Sequence, residues 1–223
     1  MRLYLASTSP ARLQLLRQAG IEPVAIPPGV DEEALVARTE AAEGPLPVDR
    51  MVQLLARAKA EALLGTGSGD GEGVDATGPD GTPIDGLILG GDSAFLVDDV
   101  IHGKPHRPEV AAARWRAQRG RSGDLWSGHW LIDHRGGVAR AAVGRPAVAS
   151  VAFAELTDDE VDAYVATGEP LAVAGAFTVD SLGGPFITRV EGDPSTVVGL
   201  SLSTLHELVR ELGVEWTSLW KRR

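Results

Sequence analysis

The sequence predicts an α/β protein with a mixed twisted sheet and flanking helices. Apolar runs of strand type alternate with segments whose apolar residues recur at helical spacing, and no internal repeat interrupts the alternation. The chain has 223 residues, which is enough for one sizeable core or for one domain with a lobe. We therefore expect a single domain over residues 1–223.

The first element is a short apolar strand that runs through a hydroxyl-rich turn into a helix. Ser9 suits the N-cap, Pro10 suits the first helical position, and Gly20 ends the helix. The N–H groups at a helix start carry partial positive charge, so a turn with Ser7, Ser9 and Arg12 predicts an anion site. From the turn alone, an ordinary capped helix remains an equally open alternative.

A later apolar run ends in Gly90, Gly91 and Asp92. This pattern predicts a strand whose carboxyl end carries an acid, which is where α/β sheets usually hold catalytic groups. The next residues, 94–101, predict a hairpin partner that turns near residues 98–99.

The remaining elements follow from periodicity and from helix stop signals. We expect strands at 23–28, 126–133, 138–153 and 186–190 and helices at about 49–65, 109–118, 157–168 and 201–213, the last starting at Ser201 or Ser203. The helix at 157 begins with a capping box, Thr157 with Glu160. No element is assigned to the acidic, alanine-rich residues 32–47. The arginine-rich face of the helix at 109–118 is expected to be solvated.

Residues 65–86 predict a flexible surface insertion within the domain. They hold eight glycines and neither lysine nor arginine. Four aspartates recur every five residues there, but that spacing matches no calcium-binding loop, so a linker is favoured.

Composition excludes several classes of protein. A net charge of −10 argues against binding duplex nucleic acid, and the absence of cysteine excludes disulfides and thiolate sites. The five histidines lack zinc-ligand spacing, and neither a P-loop nor a Nudix-type carboxylate helix is present. No apolar run is long enough for a signal peptide or a membrane span, so we expect a cytoplasmic protein.

Seven sequence blocks in order resemble the Maf family of nucleotide pyrophosphatases, the "septum formation" proteins. They are Leu5-Ala6-Ser7-Thr8-Ser9-Pro10-Ala11-Arg12, Val30-Asp31-Glu32, Ala56-Arg57-Ala58-Lys59-Ala60, Gly90-Gly91-Asp92, Gly103-Lys104-Pro105, Tyr164 to Pro170 with Ala174-Gly175-Ala176-Phe177, and Glu191-Gly192-Asp193-Pro194 with Val198-Gly199-Leu200. The resemblance implies a fold related to inosine triphosphatase, with a cleft between two lobes. It also implies hydrolysis of a (d)NTP or modified NTP to the monophosphate and pyrophosphate, a need for Mg²⁺ or Mn²⁺, and a homodimer.

The resemblance also assigns roles to residues. Asp92 is the expected acid–base group and Lys59 and Lys104 the catalytic cations. Glu32 is expected to share the metal with Asp92, although the sequence leaves open whether Asp31, Glu32 or Glu33 faces the site. Four residues are expected to contact the phosphates or to select the substrate beside them: Ser7, Ser9, Arg12 and Ser93.

Asp180 is the expected base-reading residue. It falls where the family carries Gln or Glu, and Ala11 and Ser93 are further departures from the family pattern. Because all three departures concern substrate choice, the reaction type is better supported than the base. A second function remains open, a nucleotide-binding regulator of cell division whose hydrolysis is incidental.

Overall fold

The computed structural model describes residues 1–64 and 76–221, which form seven strands and seven α-helices. The strands are β1 (Leu3–Ala6), β2 (Val24–Ile26), β3 (Gly86–Val97), β4 (Val100–His102), β5 (Ser122–His134), β6 (Ala141–Phe153) and β7 (Ile187–Glu191). The helices are α1 (Pro10–Gln18), α2 (Glu32–Glu43), α3 (Val48–Glu61), α4 (Pro108–Gln118), α5 (Asp158–Ala166), α6 (Pro194–Val198) and α7 (Leu202–Glu211). Short 3₁₀ turns cover Ala62–Leu64, Glu169–Ala172, Ala174–Ala176, Gly184–Phe186 and Trp216–Leu219. Among the described residues, no helix is both long and apolar enough to cross a bilayer.

The strands form one mixed sheet in the order β2-β1-β3-β5-β6-β7, with β4 paired to β3. Strand β1 runs parallel to both its neighbours, so that Leu5 lies opposite Ala25 of β2 and Leu89 of β3. Strand β4 is antiparallel to β3, and β7 is antiparallel to β6. The predicted mixed α/β class is confirmed.

The chain divides into two compact units. The first comprises Met1–Asp92, Gly128–Pro146 and Leu202–Arg223, and the second comprises Ser93–Ser127 and Ala147–Ser201. Strands β3, β5 and β6 each contribute residues to both units.

The first unit packs α3 directly onto the sheet, and two glycines make this approach possible. A Cβ atom on Gly90 of β3 would lie 2.0 Å from the carbonyl oxygen of Ala56, and one on Gly128 of β5 would lie 2.2 Å from that of Val52. No side chain fits at such distances, so glycine at both positions sets the depth of α3 against β3 and β5. Gln53 of α3 adds a hydrogen bond from Nε2 to the His129 carbonyl, 2.8 Å long.

The second unit is built around Trp115 of α4, which is fully buried. Its ring packs edge-on against Phe153, Tyr164 and Phe186 with centroids 5.4–5.9 Å apart, and its indole N–H donates to the Ala176 carbonyl at 2.6 Å. Edge-to-face aromatic pairs of this kind stabilise a core beyond the area that they bury.

Local capping signals in the sequence are confirmed. The Ser9 hydroxyl accepts from the Arg12 N–H at the start of α1, and Thr157 with Glu160 forms the predicted capping box of α5. Helix α2 was not predicted. It is capped by Asp31 but buries none of its residues, so it lacks the apolar periodicity that marks a helix in sequence.

The expected end of the third strand is wrong. Strand β3 does not end at Gly90-Gly91-Asp92 but continues to Val97, because the glycines serve close packing rather than a turn. The hairpin does turn at Asp98 and Asp99 as predicted, both with positive φ.

The segment expected to be a flexible insertion is packed over its described part. Residues 65–75 lie outside the described residues, but Ala76 and Ile84 are buried and the Ile84 N–H donates to the Ala76 carbonyl at 2.7 Å. Ile84 belongs to an apolar cluster with Tyr4 and Ile88. Two core residues within a glycine-rich stretch leave no signal when composition is averaged over the segment.

Candidate active site

The turn between β1 and α1 uses its hydroxyls to build itself. The buried Ser7 Oγ accepts from the Ser9 N–H at 3.1 Å and from Nη1 of Arg12 at 3.3 Å. The Ser9 Oγ caps α1 by accepting from the Arg12 N–H at 3.4 Å. The predicted cradle residues Ser7, Ser9 and Arg12 therefore lie together, in a turn that the first two also stabilise.

Arg12 is buried although it carries a charge, with 8% of its surface exposed. Its guanidinium passes over β3 at Gly91, where a Cβ atom would lie 3.3 Å from Nε. Burial lowers the pKa of Arg12, and the nearby negative charges of Asp92 and Glu32 act against that fall. An arginine stays protonated in proteins, so it brings a permanent positive charge to this buried position.

Lys59 lies between two acids. Its Nζ is 2.7 Å from Oδ1 of Asp92 and 2.8 Å from Oε1 of Glu32. The lysine comes from α3, Asp92 from β3 and Glu32 from the first position of α2. Lys59 and Asp92 are buried, whereas the Glu32 side chain is 47% exposed.

Asp92 lies within β3 rather than at its end. Burial raises the pKa of Asp92, and the positive charges of Lys59 and Arg12 act against that rise. A carboxylate with a raised pKa accepts a proton more readily than an exposed one, and the two neighbouring cations favour its charged form.

Glu32 is the acid that reaches the cluster, which answers a question that the sequence left open. Asp31 instead caps α2, since its Oδ1 accepts from the Ala34 N–H at 3.0 Å. Glu33 is exposed, in the first turn of α2. The structure thus brings together six of the predicted residues in the first unit: Ser7, Ser9, Arg12, Glu32, Lys59 and Asp92.

The other predicted residues belong to the second unit. Ser93 Oγ lies 2.9 Å from Ser127 Oγ and 3.3 Å from the Gly199 carbonyl oxygen, and its one proton serves one of these two acceptors. The Ser127 hydroxyl donates to the Thr196 carbonyl at 3.1 Å, so the pair of hydroxyls lies against the carbonyls at the end of α6. In the structure Ser93 therefore supports α6.

Lys104 lies exposed in the turn between β4 and α4. The preceding Gly103 carbonyl accepts a hydrogen bond from Nη1 of Arg114, at 2.5 Å. The sequence predicted that the arginine face of α4 is only solvated, whereas in the structure its arginines also bind neighbouring elements. Arg114 holds the turn that carries Lys104, while Arg116 and Arg119 form ion pairs with the start of α5.

Asp180 is exposed in a segment, residues 178–183, that is neither helix nor strand. The sequence analysis quoted Glu169 within a family block but gave it no role. In the structure its carboxylate bonds to the same segment on both sides of Asp180. In the sequence, only the Gly-Glu-Pro block could have indicated a role for Glu169. Its hydrogen bonds to residues 178–183 produce no periodic pattern in the sequence.

The described residues contain no group of three or more His, Cys, Asp or Glu side chains able to hold a metal on their own. The candidate metal ligands in this cluster are the two carboxylates that contact Lys59, Glu32 and Asp92. Magnesium commonly takes one or two carboxylates together with water and substrate phosphates, so these two residues fit a metal that arrives with a phosphate ligand.

The fold and this cluster define a class of protein, an α/β enzyme with cations and a buried carboxylate gathered beside a helix N-terminus. Comparison with known proteins specifies the class further. The Maf-like protein family model matches residues 2–212, and the chain belongs to this family.

Relatives span nearly the whole chain. A protein of Leifsonia xyli subsp. xyli is 69% identical over 222 residues, covering 100% of this chain and 98% of the relative. Proteins of Nocardia farcinica and Corynebacterium efficiens are 45% and 40% identical, covering 98% and 100% of this chain and 96% and 100% of their own lengths. All three carry the name nucleoside triphosphate pyrophosphatase.

Proposed function

We propose that this protein is a nucleoside triphosphate pyrophosphatase that releases the nucleoside monophosphate and pyrophosphate. The observation that carries the proposal is the buried carboxylate of Asp92, held 2.7 Å from Lys59 with Arg12 beside it. A protein that only binds nucleotides needs cations for the phosphates but has no use for a carboxylate buried among them. The name shared by the full-length relatives supports the same reaction.

In the proposed reaction, water attacks the α-phosphorus and the bond from that phosphorus to the α,β-bridging oxygen breaks. Asp92 takes the proton of the attacking water, and the bridging oxygen leaves with the pyrophosphate. Such transfers depend mainly on positioning and on stabilising negative charge. Arg12 and Lys59 supply positive charge for the phosphates, and the Ser7–Ser9 turn supplies N–H and hydroxyl donors at the start of α1.

Lys59 has a second role in this scheme. Since its ammonium contacts both Asp92 and Glu32, it favours the charged form of the buried Asp92 while no substrate is present. When a polyanion binds, the same ammonium can turn toward phosphate oxygens, which leaves Asp92 a stronger proton acceptor.

The proposal includes a divalent metal, Mg²⁺ or Mn²⁺, held by Glu32 and Asp92 together with the substrate. Such an ion would supply charge neutralisation on the phosphates and polarise the reacting phosphoryl group. Lys104 is retained as a further phosphate contact, and Ser93 and Asp180 as residues that select the substrate, all from the family resemblance. The proposed location is the cytoplasm and the proposed assembly is a homodimer. Sedimentation of the purified protein tests the homodimer.

The decisive experiment is a nucleotide panel. The protein is incubated with GTP, UTP, CTP, ATP and a 7-methylated GTP, with Mg²⁺ or Mn²⁺, and both pyrophosphate and inorganic phosphate are assayed. Release of pyrophosphate without inorganic phosphate supports cleavage between the α- and β-phosphates. Nucleotide binding without release of either product would instead support the regulator of cell division.

A further inference from the structure

The carboxylate of Glu169 accepts five hydrogen bonds, three at one oxygen and two at the other. Oε1 accepts from the Tyr164 hydroxyl at 2.9 Å, the Thr178 hydroxyl at 2.5 Å and the Gly183 N–H at 3.0 Å. Oε2 accepts from the Ser181 hydroxyl at 2.7 Å and from the Leu182 N–H at 3.2 Å. A carboxylate offers about four lone-pair sites, so this one is saturated with donors.

Four of the five donors come from residues 178–183, the segment with Asp180 at its centre. No helix or strand includes this segment, so side-chain and turn hydrogen bonds must fix its conformation. The donors lie on both sides of Asp180 in the sequence, while Asp180 itself is exposed. Glu169 therefore fixes the backbone on both sides of Asp180 through its hydrogen bonds to Thr178 and to residues 181–183.

Glu169 is itself held rigidly. Gly168 before it adopts a left-handed conformation with φ of 78°, and the Glu169 N–H donates to the Thr167 hydroxyl at 3.2 Å. Tyr164, which donates to the carboxylate, packs its ring against Trp115 with centroids 5.4 Å apart. The hydrogen bonds thus connect the 178–183 segment to the aromatic core of its unit.

The charge of Glu169 is matched to its donors. Burial alone would favour the neutral acid, but hydrogen bonds from Thr178, Ser181, Gly183 and Tyr164 outweigh it and lower the pKa of Glu169 to about 2. Each oxygen also accepts one backbone N–H, from Gly183 or from Leu182. A glutamine at 169 would turn its NH₂ toward one of these N–H groups in either orientation, and a backbone donor cannot rotate away.

We propose that Glu169 is a positioning residue for base selection, which fixes the 178–183 segment so that Asp180 meets the base in one geometry. The inference rests on the proposed function, because it takes Asp180 as the group that faces the base of a nucleotide substrate. It assigns the choice of base to a pair of carboxylates with separate tasks. One of them contacts the base, and the other holds the first in place.

The test compares kcat/KM for GTP, UTP and CTP in the wild type, Glu169→Gln, Asp180→Ala and the double variant. Glu169→Gln should reduce the ratio of GTP to CTP by about tenfold, mostly through KM for GTP, since the groups that act on the phosphates are unchanged. Adding Glu169→Gln to Asp180→Ala should change the ratio no further, because the glutamate acts through the aspartate. Glu169→Asp, which keeps the charge, should restore part of the preference.

Glu160→Gln is the matched control. Glu160 also accepts hydrogen bonds from a hydroxyl and a backbone N–H, in the capping box of α5. Its replacement makes the same chemical change and weakens the same unit without touching residues 178–183. An unchanged ratio in this variant shows that loss of stability alone does not alter base preference.

The outcomes separate this inference from the proposed function. Wild-type protein that releases pyrophosphate from no nucleotide overturns the function. Protein that releases it but has equal kcat/KM for all bases, or a preference that Glu169→Gln leaves intact, overturns only the inference. If Glu169→Gln does not fold, Ser181→Ala decides: a ratio about threefold lower supports the inference, and an unchanged ratio overturns it.

Discussion

The ammonium of Lys59 lies 2.7 Å from Oδ1 of Asp92, and both side chains are buried. The two residues are brought together by the packing of α3 against β3, which Gly90 makes possible. A buried ion pair loses hydration that its attraction only partly restores, so it is weak evidence for a stabilising role. The position of this ion pair beside Arg12 and Glu32 is explained better by a role in binding and cleaving a polyanionic substrate than by a role in stabilising the fold.

Replacement of Asp92 by asparagine should reduce pyrophosphate release by about 10²–10⁴-fold, because the amide cannot take a proton from water. Nucleotide binding should be largely retained, since Asn keeps an oxygen that can accept from Lys59. Turnover is measured by pyrophosphate release and binding by a fluorescent nucleotide. Asp98→Asn is the control, since Asp98 is exposed in the turn after β3 and asparagine tolerates its positive φ. Activity within a few-fold of the wild type in Asp92→Asn would show that Asp92 is not the base.

Lys59→Met should lower the free energy of unfolding by about 3 kcal/mol, because it leaves the buried carboxylate of Asp92 without its partner. Adding Asp92→Asn should recover part of this loss, since the buried charge is then gone, while activity stays absent. Urea unfolding of the single and double variants measures both effects. Lys221→Met, at an exposed lysine, should leave stability unchanged. Equal stability of the single and double variants would contradict the interpretation of Lys59 as the partner that keeps Asp92 charged.

Arg12→Ala should lower kcat/KM by an order of magnitude or more, because a charge-assisted hydrogen bond contributes roughly 1.5–3 kcal/mol. The matched control is Arg17→Ala in the same helix. Arg17 is half-exposed and pairs with Glu22 on the surface, so its loss should leave kcat/KM unchanged. Steady-state kinetics of both variants with one nucleotide settle the comparison. Similar losses in both would indicate a general electrostatic effect rather than a site at Arg12.

Much of the fold could be predicted because its signals are local. The cap at Ser9, the capping box at Thr157 and the turn at residues 98–99 depend on neighbouring residues alone, and all three are present. Helix α2 was not predicted because it is exposed. The burial of Ala76 and Ile84 was not predicted because two isolated apolar residues do not form a pattern. Gly90 and Gly91 were interpreted as a strand end, although distant atoms of Ala56 and Arg12 are what require them.

The candidate site could be predicted as a set of residues but not as an arrangement. Family blocks identified Arg12, Lys59 and Asp92, yet no spacing in the sequence indicates that Lys59 contacts two acids. The cap that Asp31 makes for α2 is a local contact, but the contact of Glu32 with Lys59 is a tertiary one that the sequence does not indicate. The hydrogen bonds of Glu169 depend in the same way on a chain segment distant in sequence.

Acid should remove a stabilising contribution of Glu169. Its pKa in the folded protein is about 2, below the ordinary value of 4.5, so its contribution is complete above about pH 4.5 and is lost as pH falls toward 2. The wild type should therefore have a higher free energy of unfolding than Glu169→Gln at pH 6, and this advantage should shrink at pH 3. The advantage should change by about 1–2 kcal/mol between the two pH values, after allowance for solvent screening. Urea unfolding at several pH values measures this difference. If the difference in unfolding free energy is constant with pH, the hydrogen-bond donors do not stabilise the ionised form of Glu169.

The base preference should follow from the chemistry of Asp180. A carboxylate only accepts hydrogen bonds, so it favours bases with N–H groups on their pairing edge. Guanine offers N1–H and N2–H₂ side by side, also when it is methylated at N7, and uracil offers N3–H. Cytosine presents an N3 acceptor that would face the charge unpaired, at a cost of about 1–3 kcal/mol. We therefore expect GTP, 7-methyl-GTP and UTP to have kcat/KM values at least about fivefold above that of CTP.

Asp180→Asn should reduce that preference, because an amide can turn either its acceptor or its donors toward the base. The kcat of the variant on GTP should stay within a few-fold of the wild-type value, since residue 180 neither contacts the phosphates nor acts as the proposed general base. Asp159→Asn, an exposed aspartate in the first turn of α5, makes the same change away from residues 178–183 and should leave the preference unaltered. Kinetics with each nucleotide across the three proteins provide the measurement. CTP turnover equal to that of GTP and UTP in the wild type, unchanged in Asp180→Asn, would mean that another group reads the base.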